Sequence, residues 1–348
     1  LSSKQNRVAF QVGCTYIGTV VGAGFASGRE IYQFFGRYGN IGYVTILMAT
    51  IFFAVIGYRM LLIGHQLQAK SYRELNAFLF GRHFGSLMDT LFLVMLFGVT
   101  VAMLAGAGEL FSERLNLHFQ IGVLVTIIVT FLTTLRGMSA LLKINTVIVP
   151  ILVSFVLYAA FHAAWTHGMG NAWATGQAVP KNGWQVVQAI VAAVIYSALN
   201  IGLSAGVLVP LGAKMSDVKV LSRGAALGAA GLGAMLLAVM FTLFTYAPTA
   251  LTFSVPMGYV AVQLGTFVQW GFIFVLWGEI YSTLVGNVYA MVTQVVGRSE
   301  RVVVMYTAGI LAAAFLCSQI GFNNLVAYGY TAFGWVSLLL LLALCKPR

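Results

Sequence analysis

Two glycine-broken stretches, Val21-Gly22-Ala23-Gly24-Phe25-Ala26-Ser27-Gly28 and Asn200-Ile201-Gly202-Leu203-Ser204-Ala205-Gly206, interrupt long apolar segments at matching places in the two halves of the chain. Glycine weakens a helix, and a freed N–H or C=O in hydrocarbon is costly unless protein or a lined cavity satisfies it. A chain that accepts this twice is expected to use the freed backbone groups as ligands. Paired interruptions of this sort point to the binding site of a membrane carrier.

The surroundings of both stretches are those of a polytopic membrane protein. Hydrophobic residues make up 60% of the 348 and charged residues 8%, with mean hydropathy +0.92. A soluble domain carries about 25% charged residues. The net charge of +11 could suggest a nucleic-acid partner, but its distribution excludes that reading: the basic residues sit in short loops on alternate sides of apolar spans. The polar, basic lead-in Leu1–Arg7 does not resemble a cleaved signal, and the missing initiator Met suggests processing or truncation. Cys14, Cys317 and Cys345 lie in or at the ends of apolar spans at no metal-ligand spacing, and the five histidines are scattered. No GxxxxGK[ST] occurs, and the glycine-rich run inside a span has no strand–turn–helix context, so no ATP-driven pump, resident cofactor or enzyme activity is expected.

With about 20 apolar residues needed per crossing, ten spans are expected, near 8–36, 40–63, 86–111, 119–136, 141–163, 185–213, 218–246, 265–297, 301–319 and 325–345, the first and sixth discontinuous. The apolar run 257–297 is too long for one crossing, so its first third is expected to form an outer helix or re-entrant piece. Tyr72–Phe80 has the pattern of an interfacial amphipathic helix. Fifteen of the 19 Lys and Arg residues fall on one side of this arrangement; Arg29, Arg37, Arg114 and Lys181 fall toward the other. Both termini are therefore expected in the cytoplasm.

Five spans precede the external loop 164–184 and five follow, dividing the chain into repeats 1–163 and 185–348. An odd number per half makes the second copy run opposite to the first, as in inverted-repeat transporters. The expected architecture is all-α, with ten transmembrane helices in a 5+5 inverted repeat. Gly24-x-x-x-Gly28 and Gly202-x-x-x-Gly206 both fall in the first span of their half, although helix packing alone also produces GxxxG.

The run Thr15-Tyr16-Ile17-Gly18-Thr19-Val20-Val21-Gly22-Ala23-Gly24-Phe25-Ala26-Ser27-Gly28-Arg29-Glu30 resembles the start of the bacterial YkvI-like membrane proteins. Its Val-Gly-Ala-Gly core is similar to span one of amino-acid permeases with the LeuT fold. Arg136-Gly137-Met138 through Asn145 resembles the entry to span five of amino acid–polyamine permeases. The resemblance implies a carrier in the bacterial inner membrane, moving a small amino acid or related solute with Na+ or H+. Proton-coupled members can carry a lysine in span five; Val149-Pro150-Ile151-Leu152 has none here, and Lys143 lies too near the cytoplasmic end.

Residue by residue, the freed N–H groups of Gly22, Ala23, Gly24 and Phe25 at the start of an outer half-helix would favour a solute carboxylate, with Ser27 as a hydroxyl donor. The alternative is a close-packing or hinge cluster. Asn200, Gly202 and Ser204 would form the facing side of the solute site, with an interhelical hydrogen bond as the plainer role for Asn200. The resemblance also implies a sodium site from the carbonyls of Gly18, Val21 and Glu279 and the hydroxyls of Ser282 and Thr283. Five oxygens suit a hard alkali cation, while Ser-Thr pairs also back-bond to their own helix. Glu279, near mid-span, is a functional candidate by position: proton carrier, ammonium partner or complement to sodium. Glu109 near the outer end of span three ranks lower, and Arg29 with Glu30 forms either an external gate or a self-neutralising pair. A receptor or regulatory protein that kept the fold without translocation is the competing reading.

Overall fold

The computed structural model describes residues 3–69, 71–135, 139–177, 182–292 and 300–346. The Arg136-Gly137-Met138 motif, Lys70, Lys181, Arg298 and Arg348 lie outside these residues, as do the side chains of Lys4, Lys143 and Asn145.

The first segment is three helices rather than one: α1 (Ser3–Val20), α2 (Ala23–Ala26) and α3 (Arg29–Phe34). After a short 3-10 turn come α4 (Ile41–Leu67), α5 (Tyr72–Leu115), α6 (Phe119–Thr134) and α7 (Ser139–Gln177). The second half holds α8 (Gly183–Lys214), α9 (Val218–Thr245), the short outer α10 (Pro256–Gln263), α11 (Thr266–Val292), α12 (Glu300–Ser318), α13 (Phe322–Asn324) and α14 (Thr331–Cys345). Eight of the described helical segments are long and apolar enough to cross a membrane, and α6 is a shorter apolar helix.

The faces of α4 show why such helices need lipid. Ile46, Ala49, Phe53, Ile56 and Met60 are buried, whereas Val44, Leu47, Ile51 and Val55 form an exposed apolar stripe at helical spacing. In water that stripe would be an aggregation surface; in hydrocarbon it costs nothing. The buried face packs on α8 so closely that glycines are required. A Cβ on Gly64 would overlap the Val209 carbonyl oxygen, and one on Gly212 would overlap that of Leu61.

Polar contacts divide between two ends of the bundle. Gln5 donates to Asp217 at 2.8 Å, Arg223 to Asn6 at 3.1 Å, and Arg59 to the Lys346 carbonyl at one end. Arg29 and Arg114 reach residues 251–255 at the other. The two sets match the two sides of the Lys/Arg separation in the sequence.

The two irregular pieces anticipated from the pattern are present. A turn at Gly81 (φ 75°, ψ 179°) separates the Tyr72–Phe80 helix from the remainder of α5, and Gly265 (φ 109°) separates α10 from α11. The connection between halves is largely helical, because α7 turns at Gly168 and continues to Gln177.

One expectation is corrected. The sixth segment is not discontinuous: α8 runs unbroken through Asn200, Gly202, Ser204 and Gly206. Its glycines serve packing. Ser337 Oγ of α14 lies 2.6 Å from where a Cβ on Gly202 would stand, so only glycine admits the neighbouring helix there.

Gly212→Ala is therefore expected to destabilise the bundle by about 1–3 kcal/mol through overpacking. Gly309→Ala, inside α12 where a Cβ meets open space, should stabilise by up to about 1 kcal/mol. Thermal melts of the two variants in detergent check the pair; equal midpoints would refute the close α4–α8 crossing.

Candidate functional site

The break in the first segment is real, double and buried. Gly22 is extended (φ −138°, ψ −169°) and Gly28 is left-handed (φ 80°), leaving a single four-residue turn between them. At Gly28 a Cβ would also stand 2.9 Å from Met257 Cγ, so both conformation and space demand glycine. The Ala23 N–H faces Met103 Sδ at 3.4 Å, a weak acceptor. Ala23, Gly24, Phe25 and Ala26 are buried.

That geometry alters the expected carboxylate cradle. An outer half-helix of one turn lacks the aligned peptides that would hold an anion at its N-terminus. The space over Gly24 is moreover filled from within. A Cβ on Gly24 would overlap Glu30 Oε2 and lie 3.4 Å from Glu30 Cδ. The chain's own carboxylate lies where a solute carboxylate was expected.

Arg29 and Glu30 do not pair with each other. Adjacent residues on a helix point in different directions, and here the divergence is complete. Arg29 donates to the Leu251 carbonyl at 3.4 Å, whereas Glu30 turns inward and is 3% exposed. Asn200 Nδ2 donates to Glu30 Oε1 at 3.4 Å and to the Tyr196 carbonyl at 3.0 Å. Asn200 thus takes the interhelical role, linking α8 to α3. Tyr196, also on α8, is fully buried beside Glu30, and its hydroxyl has no other partner among the described residues. Tyr330 faces Glu30 from the π-helical turns Leu325–Tyr330 that lead into α14. Phe35, Phe34 and Phe53 surround the Tyr196 ring at 4.9, 5.4 and 6.1 Å between centroids.

Ser27 Oγ donates to the Gly24 carbonyl at 3.0 Å and accepts the Arg29 N–H at 3.2 Å, and Ser204 Oγ donates to the Ile201 carbonyl at 2.9 Å. Each hydroxyl proton is used within its own turn, so neither serine acts as the donor expected for a solute.

On the other side of the break, α11 packs on α2 and places Thr283 Oγ1 3.8 Å from the Cβ position of Gly22. Ser282 Oγ donates to the Glu279 carbonyl at 3.1 Å, which leaves its lone pairs free to ligate. The oxygens of this region suit a hard monovalent cation. One turn before Thr283, the Glu279 side chain is fully buried, and neither carboxylate oxygen has a hydrogen-bond partner among the described residues. Gly18 and Val21 flank the same break; the Ile17 carbonyl accepts the Val21 N–H at 2.9 Å, completing the last turn of α1.

The end of the bundle near Gly28 is closed by the segment from Thr249 to Gln263. Ser27 carbonyl accepts the Met257 N–H at 2.9 Å. Glu113 accepts the Ser254 and Val255 N–H groups at 2.8 and 3.2 Å, Arg114 sits 3.7 Å from Glu113, and Asn323 donates to Ser254 Oγ at 3.0 Å. Glu109 is half-buried one turn before Glu113. The sequence reading missed Glu113, Tyr196 and Tyr330. Glu113 follows Glu109 by four residues, and that spacing was its available signal.

Comparison places this geometry among known proteins. Over 343 residues the chain is 36% identical to the uncharacterized membrane protein YkvI of Bacillus subtilis (strain 168), covering 98% of this chain and 97% of the relative. The chain belongs to the YkvI family. A second B. subtilis relative, the uncharacterized protein YyaD, is 26% identical over 330 residues, 94% of this chain and 93% of its own. No protein-family model matches. Among solved structures, MhsT in complex with L-phenylalanine superposes with a TM-score of 0.72 at 16% identity, over 96% of this chain and 88% of its own. A manganese transporter of Eremococcus coleocola gives 0.67 at 14% (99% and 79%), and a Na+-coupled sialic acid symporter 0.63 at 11% (94% and 75%). These neighbours are LeuT-fold secondary transporters, and at such identities they establish the fold. Among the described residues, no three His, Cys, Asp or Glu side chains come together as a metal cage.

Glu113→Ala removes the acceptor of two backbone N–H groups. Hydrogen bonds to a charged group contribute about 1.5–3 kcal/mol, so amide exchange at Ser254 and Val255 should rise roughly tenfold to a hundredfold. Exchange mass spectrometry over 249–263 reads this directly; unchanged protection would show that Glu113 does not hold the closing segment.

Proposed function

We propose that this YkvI-family chain is a cation-coupled secondary transporter of a small organic solute. It works by alternating access across ten membrane passes, of which the interrupted first segment and the shorter α6 are two. Both termini face the cytoplasm of the bacterial inner membrane, following the Lys/Arg separation. The observation that carries the reading is the buried break at Gly22. It abuts the hydroxyl of Thr283 on one side and the Glu30–Asn200 contact on the other, with the unpartnered Glu279 one turn away.

Irregular backbone at membrane depth is tolerated where protein or a lined cavity satisfies it. A carrier gains from this because the exposed peptide groups serve ion and solute. In the proposed cycle sodium occupies the Gly18, Val21 and Glu279 carbonyls with Ser282 and Thr283, or a proton occupies the Glu279 side chain. Either neutralises the interior while the solute is bound. The Thr249–Gln263 segment releases on one side, and movement about the breaks at Gly22 and Gly28 opens the other.

Counterflow in proteoliposomes tests transport, since a receptor binds without exchanging solute. A melting screen of small solutes, with and without sodium, selects the labelled compound. Ser282→Ala combined with Thr283→Ala should abolish any sodium-dependent rise in melting temperature. A preserved sodium response would remove this cation site, and saturable binding without counterflow would favour the receptor reading.

A further inference from the structure

The proposed solute site contains a charge imbalance that bears on what it can hold. Among the described residues, Glu30 and Glu279, at 3% and 0% exposure, are buried carboxylates with no Lys, Arg or His within ion-pair distance, whereas the buried Arg114 side chain is matched by Glu113 at 3.7 Å. Arg29, the cation adjacent to Glu30 in sequence, is turned away toward the Leu251 carbonyl and lies in the field of Glu113. An ionised carboxylate out of water needs a counter-charge as well as hydrogen bonds.

Glu30 is furnished for that role. Asn200 Nδ2 donates to one oxygen from α8, Tyr196 stands beside the carboxylate on the same helix, and Tyr330 lies near it in the turns that pack on α3. Donors of this kind solvate a carboxylate; they do not neutralise it. The Tyr196 hydroxyl is fully buried beside Glu30 with no other partner among the described residues, and its ring stands against Phe34 and Phe35. A carboxylate with a tyrosine beside it, itself packed in aromatic rings, is the chemistry that receives an ammonium group, through a charge-assisted hydrogen bond and cation–π attraction. The π-helical turns carrying Tyr330 are a distortion found frequently at functional sites.

Access lies close by. A hollow of about 290 Å³ is lined by Gln33, Phe34, Arg37, Tyr38, Ile195 and Thr331, with others, and the Arg37 guanidinium lies over the Tyr38 ring at 5.4 Å. Phe34 borders this hollow and packs on Tyr196, so one aromatic ring separates it from the residue facing Glu30.

Resting on the transporter reading, we infer that the Glu30 carboxylate is the solute-recognition group and that the site takes an organic ammonium. A carboxylate-bearing head is excluded from the Gly24 cradle because Glu30 already fills it. The solute's positive nitrogen sits between the Glu30 carboxylate and the Tyr196 and Tyr330 side chains. Gly24 is glycine so that this carboxylate can lie back against the broken backbone.

Thermal melts of the purified full chain with methylammonium, ethanolamine and putrescine on one arm, and acetate and propionate on the other, test the assignment. The amines are expected to raise the melting temperature, the carboxylates to leave it unchanged. Glu30→Gln should abolish the amine response. Should that variant fail to fold, Asn200→Ala and Gly24→Ala keep the glutamate but displace its carboxylate, and each should weaken the apparent amine affinity at least tenfold. No amine response in the native chain, a response to propionate alone, or amine binding undiminished in these variants would overturn the inference. Glu30-dependent amine binding without ethanolamine counterflow would sink transport and leave this site standing. Propionate counterflow that survives Glu30→Gln would do the reverse.

Discussion

A carboxylate sealed inside an apolar bundle must have a partner, and two such groups set the terms for the rest of this molecule. Glu30 has donors around it and Glu279 has none among the described residues. The difference in surroundings separates the roles proposed for them: Glu30 is solvated by protein, whereas the fully buried Glu279 carboxylate is left for an ion or a proton to balance.

The same glycine spelling produces opposite structures in the two halves. Gly24 and Gly28 belong to a stretch that turns twice, with Gly28 in a left-handed conformation that most side chains avoid. Gly202 and Gly206 keep helical backbone in α8, and Gly202 uses its missing side chain to admit Ser337. A GxxxG spacing states that small surfaces recur on one helix face; whether a neighbour or a ligand takes that surface depends on distant residues. Here the neighbour is α14 in one half and the chain's own Glu30 in the other.

Much of the scaffold was legible in the chain because its causes are local. Apolar length marked the spans, basic residues sorted the two ends, and excess length in 257–297 foretold the short outer helix found at Pro256–Gln263. The site was legible only in part. Gly22 and Thr283 were placed on facing elements, as the structure has them. The inward turn of Glu30 was missed by pairing it with Arg29, although neighbouring residues on a helix do not face each other. Tyr196 and Tyr330 acquire meaning only through tertiary contact: Tyr196 is one helical turn from Asn200, but Tyr330 is 300 residues from Glu30. Glu113 likewise depends on a segment some 140 residues away.

An unbroken α8 also changes where movement can originate. α8 keeps helical backbone across its glycines, and although Pro210 supplies no N–H within it, the helix is wedged against α4 at Gly64 and Gly212, where carbonyl oxygens occupy the space a Cβ would need. The first segment has two joints within seven residues, at Gly22 and Gly28, and between them a single turn that can move as a unit. Its outer joint is tied to Met257, its middle to Glu30, and its inner joint abuts Thr283. Met257, Glu30 and Thr283 therefore all bear on one short piece of backbone. In the proposed transport movement the first segment, not α8, therefore holds the joints, while α8 presents Asn200 and Tyr196 beside it.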